Sequence, residues 1–151
     1  METQQVIEFF KSKGLLLDYI KTEKSTASSK DAASVVGCAA DEIAKSVIFE
    51  GNGNAILVLL EGNKRVGIEK LEKVVKCSVK KADPGFIVQK TGFEIGGVAP
   101  VPNENTRIYI DNGINKHEYI WASAGSKNAV IKLRTKGLEE ALNAQTISVS
   151  F

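Results

Sequence analysis

Two adjacent glycines, at positions 96 and 97, stand in the stretch EIGGVAP between a predicted helix and a predicted strand. Glycine reaches positive φ without strain, so the pair suits a tight turn, with Pro100 preventing the continuation of a helix. The same pair could expose backbone N–H groups that hold an anion or a carbonyl oxygen of a ligand. The stretch matches neither a dinucleotide-binding fingerprint nor a phosphate P-loop. Spacing alone favours the turn and leaves the ligand-binding loop open.

A strong nucleophile with its activating base is not recognisable in this chain. The one histidine, His117, lies in the polar run NGINKHEY with no serine or cysteine elbow around it, so we predict a solvated residue at the start of a strand. Cys38 follows a glycine among alanines and lacks an activating base. Cys38 and Cys77 show neither metal-ligand spacing nor a disulfide framework, so both are predicted to be small core residues. No metal or cofactor is expected.

Composition and charge limit the class of protein. The length of 151 residues fits one ordinary domain, predicted over residues 1–151, and 43% hydrophobic with 25% charged residues is typical of a globular fold. A net charge of +2 lacks the strong positive field of a protein that wraps a long nucleic acid, but it allows a small phosphate footprint. No apolar run approaches the ~20 residues of a membrane span, and the first residues do not form a secretory signal. We therefore predict a cytoplasmic protein without a membrane partner.

Helices and strands alternate along the sequence. We predict helices around VIEFF, from Ser28 or Ser29 to Gly37, over KLEKVV, from Pro84 to Gly92 and around GLEEALN, and strands over LLLDYI, SVIFE, AILVLL, SVKK, TRIYID, HEYIWAS, AVIKL and TISVSF. The GNGN sequence between SVIFE and AILVLL is a strong hairpin signal. The pattern predicts an α+β fold, with one mixed, curved sheet and helices packed on it.

Several motifs follow one another in a familiar order: AASVVGCAADEIAKSVIF, the strand ending LLEGNKRV, KKAD, TGFEIGGVAP and IYID. This order resembles the YbaK-type, prolyl-tRNA-synthetase-associated editing domain family, from about Thr26 to the C-terminus. The resemblance implies a barrel-like mixed sheet flanked by helices. It also implies hydrolysis of misacylated tRNA, and a chain without synthetase domains is similar to the free-standing members that act in trans.

The resemblance also implies a site. The family shares a lysine just before a strand and a G-x-x-x-P loop, which correspond to Lys45 in IAKSVIF and to Gly96 through Pro100. Lys45 would hold a phosphate of the tRNA 3′-terminal adenosine or the ester region of the substrate, and Ser46 would add a hydrogen bond. The amides of Gly96 and Gly97 would face the ester carbonyl oxygen while water, or a substrate hydroxyl or thiol, attacks.

The resemblance extends this site by two further groups of substrate-binding residues. They are Val98 and Pro100 in the loop, and Ser123, Gly125 and Asn128 in the bend WASAGSKNAV. Some family members carry an acidic residue near this bend that helps to choose the amino acid, and apolar Val130 falls at that position here. The implied substrates are of the Cys-tRNA(Pro) or Ala-tRNA(Pro) type. Lys64 and Arg65 precede a helix, where they either contact the tRNA backbone or form a solvated turn.

Two functions from different classes remain open at this point. The first is a trans-acting aminoacyl-tRNA deacylase whose partner is the 3′ acceptor end of a misacylated tRNA. The second is a non-catalytic module that binds a nucleotide, an RNA acceptor end or an aminoacyl-tRNA synthetase. The lack of an obvious acid–base residue keeps the second function open.

Overall fold

A computed structural model describes residues 1–151, in which five helices and eight strands alternate. The helices are α1 (Thr3–Ser12), α2 (Ser29–Val36), α3 (Ile68–Val75), α4 (Pro84–Thr91) and α5 (Leu138–Ala141), and two 3₁₀ turns span Ala40–Glu42 and Asn112–Lys116. The strands are β1 (Leu16–Lys21), β2 (Ala44–Gly51), β3 (Asn54–Glu61), β4 (Lys80–Lys81), β5 (Thr106–Asp111), β6 (Tyr119–Ser123), β7 (Ala129–Arg134) and β8 (Gln145–Ile147). None of the helices has the length and apolar character needed to cross a membrane.

Capping residues set the ends of α2 and α4. The hydroxyl of Ser28 and the carboxylate of Asp83 each accept a hydrogen bond from a backbone N–H in the first turn of their helix, at 3.0 and 2.9 Å. Gly37 and Gly92 end the two helices in the left-handed region, with φ of +79° and +77°. The predicted starts and stops of both helices are confirmed.

The hairpin predicted from GNGN is confirmed and joins β2 to β3. Asn52 and Gly53 both have positive φ, 52° and 77°, which is the geometry of a two-residue hairpin turn that matches strand twist. The antiparallel register runs from Gly51 opposite Asn54 to Ala44 opposite Glu61. Lys45 therefore lies near the far end of the hairpin, opposite Leu60.

The eight strands form two sheets. The five-stranded sheet has the order β4-β2-β3-β5-β8, with parallel pairing of β5 to both β3 and β8, and the three-stranded sheet has the antiparallel order β1-β7-β6. An isolated bridge between Ile43 and Trp121 links the sheets. The α+β class and mixed pairing are confirmed, but the strands divide between two sheets and do not close a barrel. The prediction of a single sheet is therefore wrong, because local propensity identifies strands without identifying their distant partners.

Strand β3 is buried on both faces and forms the centre of the fold. Leu57 and Leu59 pack in the main hydrophobic core, whereas Val58 and Leu60 pack with Leu71 of α3 in a second cluster. A strand held from both sides gives its neighbour β2 a fixed position. The first residues of β2, including Lys45, are thereby held in place at one end of the sheet.

Candidate functional site

A cavity of about 400 Å³ lies among α2, β2, β6 and the glycine loop, which we define as residues 96–100. Five residues predicted for the site line this cavity: Lys45, Ser46, Gly96, Val98 and Ser123. Val130, at the position where the resemblance places an acidic residue in some family members, also lines it. The rest of the lining is mostly apolar, which is usual for a small-molecule pocket with a few polar groups that orient the ligand.

The two glycines of the pair have different roles. The Gly97 N–H donates to the carbonyl of Glu94 at 3.0 Å, and Gly97 is outside the cavity lining. The N–H groups of Gly96 and Val98 have no acceptor in the protein, and both residues line the cavity. The free amide donors are therefore those of residues 96 and 98, in place of the predicted 96 and 97.

Local packing explains why both positions are glycine. Gly96 has φ of +85°, and a Cβ there would lie 3.0 Å from the Cβ of Ala27, another residue of the lining. A Cβ on Gly97 would lie 3.0 Å from the backbone of Ser126, in the bend between β6 and β7. The pair thus combines a turn with a close approach between the glycine loop and two other segments.

Lys45 is a half-buried cation without an acidic partner. The three ion pairs of the structure involve other residues, and the Lys45 ammonium also donates no hydrogen bond within the protein. Burial lowers the pKa of Lys45 below that of an ordinary lysine, and the positive charges of Arg65 and Lys81 lower the pKa further. An anionic or carbonyl ligand in the cavity would supply the missing partner.

Two buried hydroxyls in the cavity also lack partners. Neither Oγ1 of Thr26 nor Oγ of Ser46 has a hydrogen bond, although both residues line the cavity and Thr26 is only 5% exposed. A buried polar atom without a partner is costly, so these hydroxyls are suited to a polar ligand. Sequence reasoning missed Thr26, because its only signal is its position just before the N-cap of α2.

The remaining predicted site residues lie outside the cavity lining: Arg65, Gly97, Pro100, Gly125 and Asn128. The Asn128 amide donates to the backbone carbonyls of Glu23 and Lys24, at 3.3 and 3.1 Å, and so ties down the segment before α2. Gly125 has φ of +96°, and a Cβ there would contact Phe93. These two residues hold neighbouring segments in place. Arg65 affects the site electrostatically, because its positive charge lowers the pKa of Lys45.

The prediction of a solvated His117 is wrong. Its side chain is 15% exposed, and Nε2 lies 2.9 Å from a carboxylate oxygen of Glu61, outside the cavity lining. The two cysteines are half-buried and not in the core, although Cys38 packs against a small hydrophobic cluster. Burial raises the pKa of the Cys38 thiol, and the carboxylates of Glu42 and Asp41 raise it further, which opposes a role as nucleophile.

The α+β scaffold thus holds a mostly apolar cavity with an unpaired cation, free backbone amides and free hydroxyls, an arrangement suited to a small polar group. The chain belongs to the aminoacyl-tRNA editing domain family, whose family model matches residues 23–141. The resemblance derived from the ordered motifs is therefore confirmed.

Individual relatives agree with this membership. The uncharacterised protein YwhH of Bacillus subtilis (strain 168) is 30% identical over 125 residues, covering 82% of this chain and 80% of YwhH. Proline–tRNA ligase of Thermosipho melanesiensis is 34% identical over 86 residues, which are 56% of this chain but only 15% of the ligase.

Solved structures share the whole fold. A protein described as a candidate trans-editing enzyme for prolyl tRNA synthetase superposes with a TM-score of 0.87 at 29% identity, covering 99% of this chain and 96% of that one. The hypothetical protein APE2540 superposes with a TM-score of 0.89 at 28% identity, covering 99% and 100% of the two chains.

Proposed function

We propose that this protein is a deacylase that acts in trans and hydrolyses the ester bond of a misacylated tRNA, of the Cys-tRNA(Pro) or Ala-tRNA(Pro) type. The observation that carries the proposal is the unpaired Lys45 in one cavity with the free amides of Gly96 and Val98. Membership of the editing domain family and the fold shared with a candidate trans-editing enzyme support it.

The chemistry requires positioning and charge stabilisation more than a strong nucleophile. An aminoacyl ester is already reactive, and the developing negative charge on its carbonyl oxygen needs donors in a site of low polarity. The amides of Gly96 and Val98 are free to serve as these donors, while Lys45 holds a phosphate or the ester region. Water, or a hydroxyl or thiol of the substrate, attacks the carbonyl carbon.

The size and lining of the cavity support a small, uncharged amino acid. A volume of about 400 Å³ is at the lower end of the range for ligand pockets. Ala32, Ile43 and Val130 contribute apolar surface to it. A positively charged substrate side chain would lose its hydration there and meet no opposite charge, because the charged residues of the lining are Lys45 and Lys81.

The charge of Lys45 predicts how the deacylation rate depends on pH. Lys45 is charged below its pKa and neutral above it, and burial with the neighbouring Arg65 and Lys81 lowers that pKa. The enzymatic rate, after subtraction of spontaneous ester hydrolysis, should therefore fall at a lower pH than the ordinary lysine value of 10.5. Lys45→Arg, whose guanidinium stays charged, should remove this fall. A pH–rate profile that is the same for both proteins would contradict the role of Lys45.

A second candidate function is a non-catalytic module that binds an acceptor end or a synthetase. One observation favours it: no aspartate, glutamate or histidine lines the cavity, so the carboxylate or imidazole that most often serves as general base is absent there. The two functions differ in one measurable property, since a module binds aminoacyl-tRNA without shortening the lifetime of its ester.

The test of the proposed function is a panel of tRNAs charged with different amino acids, including correctly charged Pro-tRNA(Pro). Ester loss and binding are measured in parallel for each member. We expect accelerated ester loss for at least one misacylated tRNA(Pro) and none for Pro-tRNA(Pro). Binding of several members without any accelerated ester loss would favour the module.

The charge distribution predicts weak, shallowly salt-dependent binding of uncharged tRNA. Lys45 and Lys81 line the cavity, Arg65 lies near them, and the net charge of the chain is only +2. These cations suit about 2 to 4 phosphates, which corresponds to a slope of log K against log salt of roughly −2 to −4. The slope is measured by titration at several salt concentrations. A slope as steep as that of a large basic interface would indicate recognition of the tRNA body instead.

A further inference from the structure

A second group of chemically capable side chains lies outside the cavity lining. Asp41 comes from the first 3₁₀ turn, Glu61 ends β3, and His117 directly follows the second 3₁₀ turn. One ligand atom from each of the three residues lies within 4.8 Å of the other two. The three residues are far apart in the sequence, so no short motif signals the group.

The electrostatics of the group favour a cation among the three side chains. Glu61 is only 4% exposed, and its Oε2 lies 2.9 Å from Nε2 of His117. The carboxylate of Asp41 forms no ion pair and accepts no hydrogen bond, although it approaches that of Glu61. Two nearby carboxylates repel each other unless a proton or a cation lies between them. The ammonium of Lys116 is 3.7 Å from Glu61, but the Lys116 side chain is 69% exposed and free to turn into solvent.

We propose that Asp41, Glu61 and His117 bind a divalent transition-metal ion such as Zn²⁺. Imidazole nitrogen and carboxylate oxygen are both ligands that Zn²⁺ accepts, and with three protein ligands water would complete a tetrahedral coordination. Zinc–ligand distances of about 2.0–2.2 Å place neighbouring ligand atoms roughly 3–3.5 Å apart. The atoms of Glu61 and His117 are already near this spacing, at 2.9 Å. Asp41 is half-buried, and rotation of its side chain would close the remaining gap.

The ion would tie together segments that support the cavity. Ile43, two residues after Asp41, lines the cavity and forms the isolated bridge to Trp121 that links the two sheets. Gly62, the residue after Glu61, also lines the cavity. Because none of the three ligands lines the cavity, the role of the ion is structural. The proposal therefore does not depend on the deacylase activity.

The test is calorimetric titration of Zn²⁺ alone into chelator-treated protein, combined with thermal unfolding. We expect one ion per protein and a rise in melting temperature of roughly 5–10 °C at a 100-fold excess of free ion over its Kd. Asp41→Asn and His117→Gln should each weaken binding at least about tenfold and remove most of this rise. Both variants alter half-buried side chains, and circular dichroism checks that they fold.

Two controls separate this site from other ways of binding zinc. Glu104→Gln removes an exposed carboxylate elsewhere and should leave the affinity unchanged. Cys38→Ser removes the free thiol of Cys38 and should also leave it unchanged. The proposal is overturned if the wild-type protein shows no saturable binding, or if Asp41→Asn and His117→Gln bind Zn²⁺ as tightly as the wild type does.

Discussion

Lys45→Ala is expected to lose at least about 10²-fold of the deacylation rate, the size of effect seen when one donor to a developing oxyanion is removed. Lys45 lines the cavity and has no acidic partner in the folded protein, so its charge is available to the substrate. Its removal breaks no ion pair and relieves the burial of a charge. The free energy of unfolding should therefore change little, by about 0.5 kcal/mol or less.

Lys80→Ala is the matched control for Lys45→Ala. Lys80 lies on the neighbouring strand β4, its side chain is 77% exposed, and it pairs with Glu50 at 3.7 Å outside the cavity lining. Its removal changes the net charge by the same amount but should leave the deacylation rate within about twofold, since exposed ion pairs contribute little. Equal deacylation rates for the Lys45→Ala and Lys80→Ala variants would show that Lys45 is not part of the deacylation site.

The two glycine substitutions are expected to differ in their effect on the rate. Gly96 has φ of +85°, and in Gly96→Ala the new methyl group meets Ala27 at the cavity wall. The deacylation rate per folded molecule should therefore fall by about 10²-fold or more. In Gly97→Ala the methyl group meets the backbone of Ser126 outside the cavity lining. That variant should lose stability, by about 1 to 3 kcal/mol, with its rate following the folded fraction. Both quantities are measured by deacylation and by thermal unfolding.

Gly14→Ala is the control for backbone strain alone. Gly14 also has positive φ, +72°, but a Cβ there would have no atom within 4 Å. Gly14→Ala should lower the melting temperature by a few degrees without changing the deacylation rate per folded molecule. If rate and stability fall in parallel for all three glycine variants, EIGGVAP is an ordinary turn and not part of a catalytic site.

Local sequence signals predicted much of the fold because they act over a few residues. Ser28, Gly37 and Gly92 end or begin helices through their own backbone geometry and hydrogen bonds, and Asn52 with Gly53 forms the hairpin turn. The division into two sheets was not predictable in this way, because it depends on the pairing of strands that are distant in the sequence.

The candidate site was predicted in part. Ordered motifs indicated Lys45 and the glycine loop together, and Lys45 lines the cavity with Gly96 and Val98 of that loop. The same motifs could not show that the Gly97 amide is occupied by Glu94, nor that the hydroxyl of Thr26 is buried without a partner. His117 was misjudged because its partner Glu61 is 56 residues away in the sequence. Such facts arise from tertiary contacts, which a local polar run does not reveal.

The most direct test of the deacylase proposal is a multiple-turnover assay with misacylated tRNA(Pro) in large excess over the protein. Ester loss is followed over time, with spontaneous hydrolysis subtracted and Lys45→Ala measured alongside. We expect each molecule of the wild-type protein to hydrolyse many esters, and the Lys45→Ala protein to be at least about 10²-fold slower. Ester loss no faster than spontaneous hydrolysis for every aminoacyl-tRNA tried, or a rate that Lys45→Ala leaves unchanged, would contradict the proposed function.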